Sequence, residues 1–278
     1  RDLHSFPTRR SSDLNWCPSC VAFRARPDRH ENTGESHAGS VPTISFDYFF
    51  TKSDGQSGTE GDPNTITALI VVDSHTSFVT CIPLEKKVQL DHANREIIKF
   101  IQMLGYSEVI LHCDNEPSIL QIKNLLLRTR QAMGLKTRES SAIAYDKGNS
   151  LAENAVGRVR PLACSLMHQL HGRLGVQLQT SSAIWSWALR HAAWLISRFS
   201  VIRGATAYEL AFGRVFTGEL CEFGEPVFGY VVPATKAAAM WKRMLFLGKA
   251  EFFMAVQVWF WNEDFADNEK ASAAFSEL

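Results

Sequence analysis

Hydrophobic and polar positions alternate along Thr43–Thr51, with Ile44, Phe46, Tyr48 and Phe50 sharing one face, a pattern that predicts a strand. Asp47 points to the other face in mid-strand, where a charge is costly unless it is paired or holds a cation. An edge strand with one wet face would remove that cost. A Gly-, Ser- and Asp-rich loop follows, and two more strands are predicted over 65–72 and 77–84. The connecting Asp73-Ser74-His75-Thr76 reads as a hairpin, with Asp73 bonding local backbone and His75 at the surface. Over 90–104 the apolar residues recur at helical spacing and Gly105 supplies a stop, so a crossover helix leads into the short apolar strand Glu108–His112. Such a β-α-β unit favours parallel pairing.

That strand runs into Asp114, followed by Asn115, Glu116 and Pro117, which suit the first turn of another helix. Open α/β sheets place their chemistry at strand C-terminal ends, yet Asp114 could equally cap the helix. The helix over 117–133 ends at Gly134 and carries Lys123, Arg128 and Arg130, with Lys136 and Arg138 just beyond. A basic run of this kind is a solvated face or a phosphate contact. Ser150 and Glu153 have capping-box spacing, which explains Glu153 structurally. Lys147 precedes that acid and Arg158 and Arg160 follow it, and bases flanking an acid suit a place where a cation and phosphate meet. Pro161 predicts a kink in the same helix. Over 182–200, Trp185, Trp187, Trp194 and Leu195 read as core packing rather than base stacking.

With 278 residues, 45% of them hydrophobic, the chain can bury a large core or two small ones. The formal charge is zero, which argues against a chain-wide basic surface, but six acids against one base after residue 250 leave a net positive body. No apolar run is long enough for a bilayer and no leader pattern is present, so an intracellular protein is expected. The six cysteines are scattered apart from Cys17 and Cys20, which favours reduced thiols. That pair is half of a tetrahedral zinc site, and intact zinc binding is not expected. Residues 25–41 read as a linker. Residues 1–14, RDLHSFPTRRSSDL, resemble the in-frame translation of a sequencing adapter, so natural sequence before Asn15 is expected to be missing.

Asp47 on a first strand, Asp114 after a fourth and Glu153 on a later helix, with 38 residues between the last two, form an ordered set of acids. In that order, and in the stretches SFDYFF, LIVVDSHTSF, LHCDNEPSI and GNSLAENAV, the chain resembles the catalytic core of retroviral and long-terminal-repeat retrotransposon integrases, within the ribonuclease-H-like superfamily. WSWALRHAAWLISR, the turn from Gly204 to Glu209, Phe212-Gly213-Arg214, Phe223-Gly224-Glu225 and WKRMLFLGKAE resemble the segments that follow that core, so the resemblance spans about 17–251. Cys17 and Cys20 fit the second half of the family's His-His-Cys-Cys zinc module.

The resemblance implies an α/β fold, a five-stranded mixed sheet flanked by helices with a C-terminal helical extension. It implies a division into a zinc-module remnant plus linker at 15–40, a catalytic core at 41–180, its helical end at 181–232, and a divergent tail, frameshifted or disordered, at 233–278. It further implies that Asp47, Asp114 and Glu153 hold two Mg²⁺ or Mn²⁺ ions for 3′-end processing and strand transfer of DNA, with Asp47 bridging. Lys147, Arg158 and Arg160 would hold DNA backbone, and a nuclear homo-oligomer acting on element ends and target DNA is expected. Two departures stand out: the interval of 38 exceeds the family's roughly thirty-five, a small loop-closure cost, and Gly157 stands where family members often keep a lysine. A ribonuclease-H-like nuclease and an inactive DNA-binding or assembly remnant remain the alternatives.

Overall fold

The computed structural model describes residues 41–140, 149–230 and 240–249, apart from positions 53, 63, 88, 176 and 203 and the side chain of Lys242. The expectations for 1–40, Cys17 and Cys20 included, for Lys147 and for 250–278 lie outside the described residues.

Five strands form one mixed sheet. Thr43–Thr51 (β1) pairs antiparallel with Ile66–Asp73 (β2), which pairs antiparallel with Val79–Leu84 (β3). On its other side β1 pairs parallel with Glu108–His112 (β4), and β4 pairs parallel with Lys136–Ser140 (β5), giving the order β3-β2-β1-β4-β5. Leu90–Met103 (α1) crosses from β3 to β4, and Pro117–Ala132 (α2) from β4 to β5. Gly105 and Gly134 adopt the positive φ that ends each of these helices, as expected. This is the ribonuclease-H-like α/β architecture, a mixed sheet with helices on both faces.

Alternation along β1 sends its side chains into two cores. Ile44, Phe46 and Tyr48 pack with Ile97, Ile101 and Ile122 of α1 and α2. On the opposite face Phe49, Ile70 and Val72 pack with Ser150–Leu174 (α3) and Ala183–Phe199 (α4), through residues such as Ala152, Val159, Trp185 and Trp194. β1 is therefore the central strand, and the edge-strand explanation of Asp47 fails: its side chain lies on the α3 face and is half-buried. The reading of the tryptophans as core holds, since Trp185 and Trp194 are buried and Trp187 packs against them. Pro161 is accommodated inside α3, whose span is unbroken.

The basic run after β4 is partly internal. Arg130 is fully buried, its guanidinium donating to Thr137 Oγ1 at 2.8 Å and to the carbonyls of Ser107 and Lys136 at 3.3 Å. It ties the end of α2 to the starts of β4 and β5 instead of meeting solvent or phosphate. Lys123 is buried against Glu139, with Nζ 3.3 Å from the carboxylate. Asp73 behaves as the turn residue expected, accepting from the backbone of His75 and Thr76, but it is buried and also accepts from the Tyr106 hydroxyl at 2.9 Å. His75 is exposed.

Beyond α4 the chain continues in short elements. Val201–Ile202 (β6) and Ala205–Thr206 (β7) form a small hairpin, and Ala207–Phe212 (α5) starts from a full capping box between Thr206 and Glu209. Pro226–Tyr230 (β8) pairs antiparallel with Trp241–Leu245 (β9), followed by buried Phe246 and Leu247. Leu245 and Leu247 join the α4 layer. There His191 is 3% exposed, stacked on Trp194 and Phe223 at 5.6 and 5.8 Å with Phe246 edge-on. Gly248, at φ +125, passes so close that a Cβ would lie 2.8 Å from His191 Nδ1. Among the described residues no helix is long and apolar enough to cross a membrane, and Cys81, Cys113, Cys164 and Cys221 are free thiols.

Burial in this aromatic stack, reinforced by Arg198 and Lys249, pushes the His191 imidazole down to about 3. A histidine held neutral in the fold contributes stability at pH above its unfolded value, and that contribution is lost as pH falls from about 6.5 toward about 3. Thermal unfolding followed from pH 7 to pH 4 is expected to show a falling midpoint, and His191→Phe is expected to flatten that slope.

Candidate active site

The site begins where two strands part. β4 runs parallel to β1 only over Thr43–Ser45, the last pair being Ser45 with His112. The same register continued by two residues would set Asp47 beside Asp114, but β4 has ended there and the chain turns toward α2. At α2 the N-cap is Glu116, with no side-chain capping bond, and Pro117 occupies the first turn. Asp114 therefore does not cap the helix, and the purely structural explanation for it falls away.

Glu153 loses its structural explanation as well. The N-cap of α3 is Asn149, not Ser150, and no side chain caps the helix, so the Ser150–Glu153 capping box does not form. Glu153 lies in the first turn, exposed, with its amide bonded to the Asn149 carbonyl at 3.0 Å. A carboxylate near a helix N-terminus is favoured by the helix dipole, and this one is available to a ligand.

Electrostatics bring these acids together around Asp47. Burial raises its carboxyl first, the charge of Asp114 second, and Glu116 and Glu153 add to it against a lowering bond from the Tyr48 amide; the result is about 7. All three sequence-identified acids are thus near enough to interact, from β1, from the end of β4 and from α3. Among the described residues, no group of three or more His, Cys, Asp or Glu side chains is gathered at metal-holding distance. The donor set nevertheless suits a hard divalent cation: the oxygens are carboxylate, and their mutual repulsion is what a cation would relieve.

Three residues around the acids escaped sequence reasoning. Glu116, which reads in sequence as a helix-start acid, feeds charge into the cluster. It is restrained by Lys87, whose Nζ pairs with it and with Glu60 at 3.1 Å and lies 5.1 Å from the ring centres of Tyr48 and Phe50. Burial disfavours the Lys87 charge, but Glu116 and Glu60 outweigh it and hold the ammonium above its ordinary range. The third is Asn149, buried, whose Nδ2 donates to the Phe46 carbonyl at 3.0 Å. Nothing in the local sequence marks the Lys87–Glu116 and Asn149–Phe46 contacts, which span 29 and 103 residues.

The expected DNA-contacting bases have different fates. Arg158 is half-buried on α3. Arg160 bonds to Ser57 Oγ at 3.1 Å and the Phe50 carbonyl at 3.3 Å, and its guanidinium lies 5.8 Å from the Phe49 ring centre. It fastens α3 to β1 and the loop beyond it.

No family model matches the chain, and no curated protein sequence does. Among solved structures the chain is similar to the HTLV-2 integrase catalytic core domain in complex with magnesium (trimeric form), with 15% identity over 61% of this chain and 95% of that one, at a TM-score of 0.41. It is also similar to a chain of the simian T-cell lymphotropic virus intasome in complex with PP2A regulatory subunit B56 gamma, at 18% identity, 86% and 81% coverage and a TM-score of 0.45. The catalytic core domain of BIV integrase gives 17% identity, 64% and 95% coverage and a TM-score of 0.40.

A carboxyl whose folded pKa is raised stabilises the fold below its unfolded value and loses that contribution as pH rises from about 4 through about 7. In chelator at pH 8, Asp47→Asn is expected to raise the unfolding free energy by about 1–2 kcal/mol, after allowance for solvent access, with little change at pH 4. Denaturant titrations at both pH values check this.

Proposed function

We propose that this chain is an integrase-like polynucleotidyl transferase that processes and joins DNA ends with divalent cations. One observation carries the reading: Asp47, half-buried on the central strand, has its carboxyl raised to about 7 by burial first and then by the charges of Asp114, Glu116 and Glu153. Like charges set around a half-buried carboxyl cost stability, a cost that a bound cation would offset. Asp47, Asp114 and Glu153 are the residues that would hold Mg²⁺ or Mn²⁺. Bound cations would supply Lewis acidity and a lowered pKa to an attacking water or DNA 3′-hydroxyl.

The chain's own groups prepare that site. Tyr48 N–H bonds the Asp47 carboxylate and favours its charged form, ready to ligate. Lys87 neutralises Glu116, keeping the charge around Asp47 from rising further. Arg158, together with Lys147 ahead of α3, would hold phosphates of DNA without reading sequence. Substrates are the ends of an element and a target duplex; a homo-oligomer and a nuclear site of action go with that chemistry. The sequence resemblance and the ribonuclease-H-like sheet support this reading over an unrelated α/β function.

Hydrolysis alone would make the protein a ribonuclease-H-like nuclease, and binding alone an inactive remnant. Labelled duplex ends incubated with a supercoiled target and Mg²⁺ distinguish them. Joined products are expected, and Asp114→Asn or Glu153→Gln is expected to reduce them by more than about 100-fold with an unchanged circular dichroism spectrum. Cleavage without joining would favour the nuclease, and DNA binding with no chemistry would favour the remnant.

A further inference from the structure

We propose that Asn149 is a positioning residue that sets the spacing between Glu153 and Asp47, and so controls affinity for divalent cations; this rests on the metal-site reading above. The parallel ladder between β1 and β4 sets the geometry. Ile110 N–H donates to the Pro42 carbonyl as the ladder begins, and pairing ends at Ser45 with His112. Acceptors on one side of a strand recur every second residue, so Pro42 and Ile44 are followed by Phe46. By then β4 has left, and the carbonyl of a buried residue has lost its ladder partner. A buried carbonyl left unbonded is costly.

Asn149 fills that place from 103 residues away, its Nδ2 3.0 Å from Phe46 O. Since a carbonyl only accepts, the amide nitrogen must be the atom that faces it. Asparagine at an N-cap ordinarily accepts from its own helix, yet here no side-chain cap is made and Asn149 Oδ1 has no hydrogen-bond partner among the described residues. The amide serves the strand instead of the helix.

Position makes that choice consequential. Asn149 lies four residues before Glu153, about 6 Å along a helix axis. Phe46 lies one residue before Asp47. Further along, Arg160 of the same helix bonds Phe50 of the same strand at 3.3 Å. Two polar bonds thus fix α3 on β1, and both acids lie between them. The Asn149 bond is the nearer to Glu153 and the one at the parting of the strands. The buried stripe of Ala152, Ala155 and Val159 supplies contact area but small, smooth side chains that permit sliding.

The test uses Mn²⁺ binding to the full chain, followed by electron paramagnetic resonance of the free ion, beside thermal unfolding in chelator. Asn149→Ser keeps a good helix cap but is too short to reach the strand; it is expected to weaken Mn²⁺ binding about 10-fold while retaining a cooperative transition. Asn149→Gln restores the N–H donor and is expected to recover most of that loss. Unchanged affinity in Asn149→Ser, or equal losses in the Ser and Gln variants, would overturn the positioning role. Glu153→Gln separates the two levels: if it binds Mn²⁺ as the parent does, the metal reading itself fails, whereas loss there with no effect of Asn149→Ser defeats the positioning role alone. Should Asn149→Ser lack a cooperative transition, Arg160→Lys provides the comparison, and an equal weakening of Mn²⁺ binding by that more distant bond would also count against a special role for Asn149.

Discussion

The separation of β4 from β1 is the constraint from which the site follows. A parallel ladder that stopped nowhere would bury β1 completely and leave no room for ligands between the strands. Because pairing ends at Ser45 with His112, one face of the central strand opens at Asp47 and a backbone acceptor is released at Phe46. The acid, the neighbouring Asp114 and the amide of Asn149 occupy that opening. Ending β4 there costs backbone pairing, and side chains from elsewhere in the chain make up part of it.

Most of the protein exists to hold that opening at fixed dimensions. α1 and α2 pack one face of the sheet and bring the chain back to β4 and β5. α3 and α4 cover the other face, and the aromatic stack around His191 joins β9 to the α4 layer. Buried bases serve the same end: Arg130 gathers carbonyls at the starts of β4 and β5, and Arg160 pins α3 to β1. Arg130 and Arg160 are thereby absorbed into the scaffold, while Asp47 keeps like charges for neighbours. The cost is a carboxyl at Asp47 that burial and like charge push to about 7.

The architecture was legible because its signals are local. Alternation over β1, helical spacing with a terminal glycine in α1 and α2, and the strand running into Asp114 are short-range patterns, and the sheet order follows from the β-α-β connections. The site was legible only as a set of acids in order. Lys87 and Asn149 were opaque because their partners lie 29 and 103 residues away. Misreadings had physical causes too. Arg130 looked solvated because clusters of bases usually are, but backbone carbonyls at two strand starts needed donors. The Ser150–Glu153 spacing looked like a capping box, yet the helix begins one residue earlier than that box requires, while Thr206 and Glu209, with the same spacing, make the real one. The pairing of β8 with β9 was not anticipated, because strand pairing across an intervening segment leaves no sequence period to detect.

Crystals of the chain grown in chelator and then soaked in Mn²⁺ give the most direct measurement, because anomalous scattering locates the ion without reference to activity. Anomalous peaks bounded by the carboxylates of Asp47, Asp114 and Glu153 are the result this account requires. Peaks that bypass those side chains, or none at Mn²⁺ concentrations that saturate binding in solution, would contradict it.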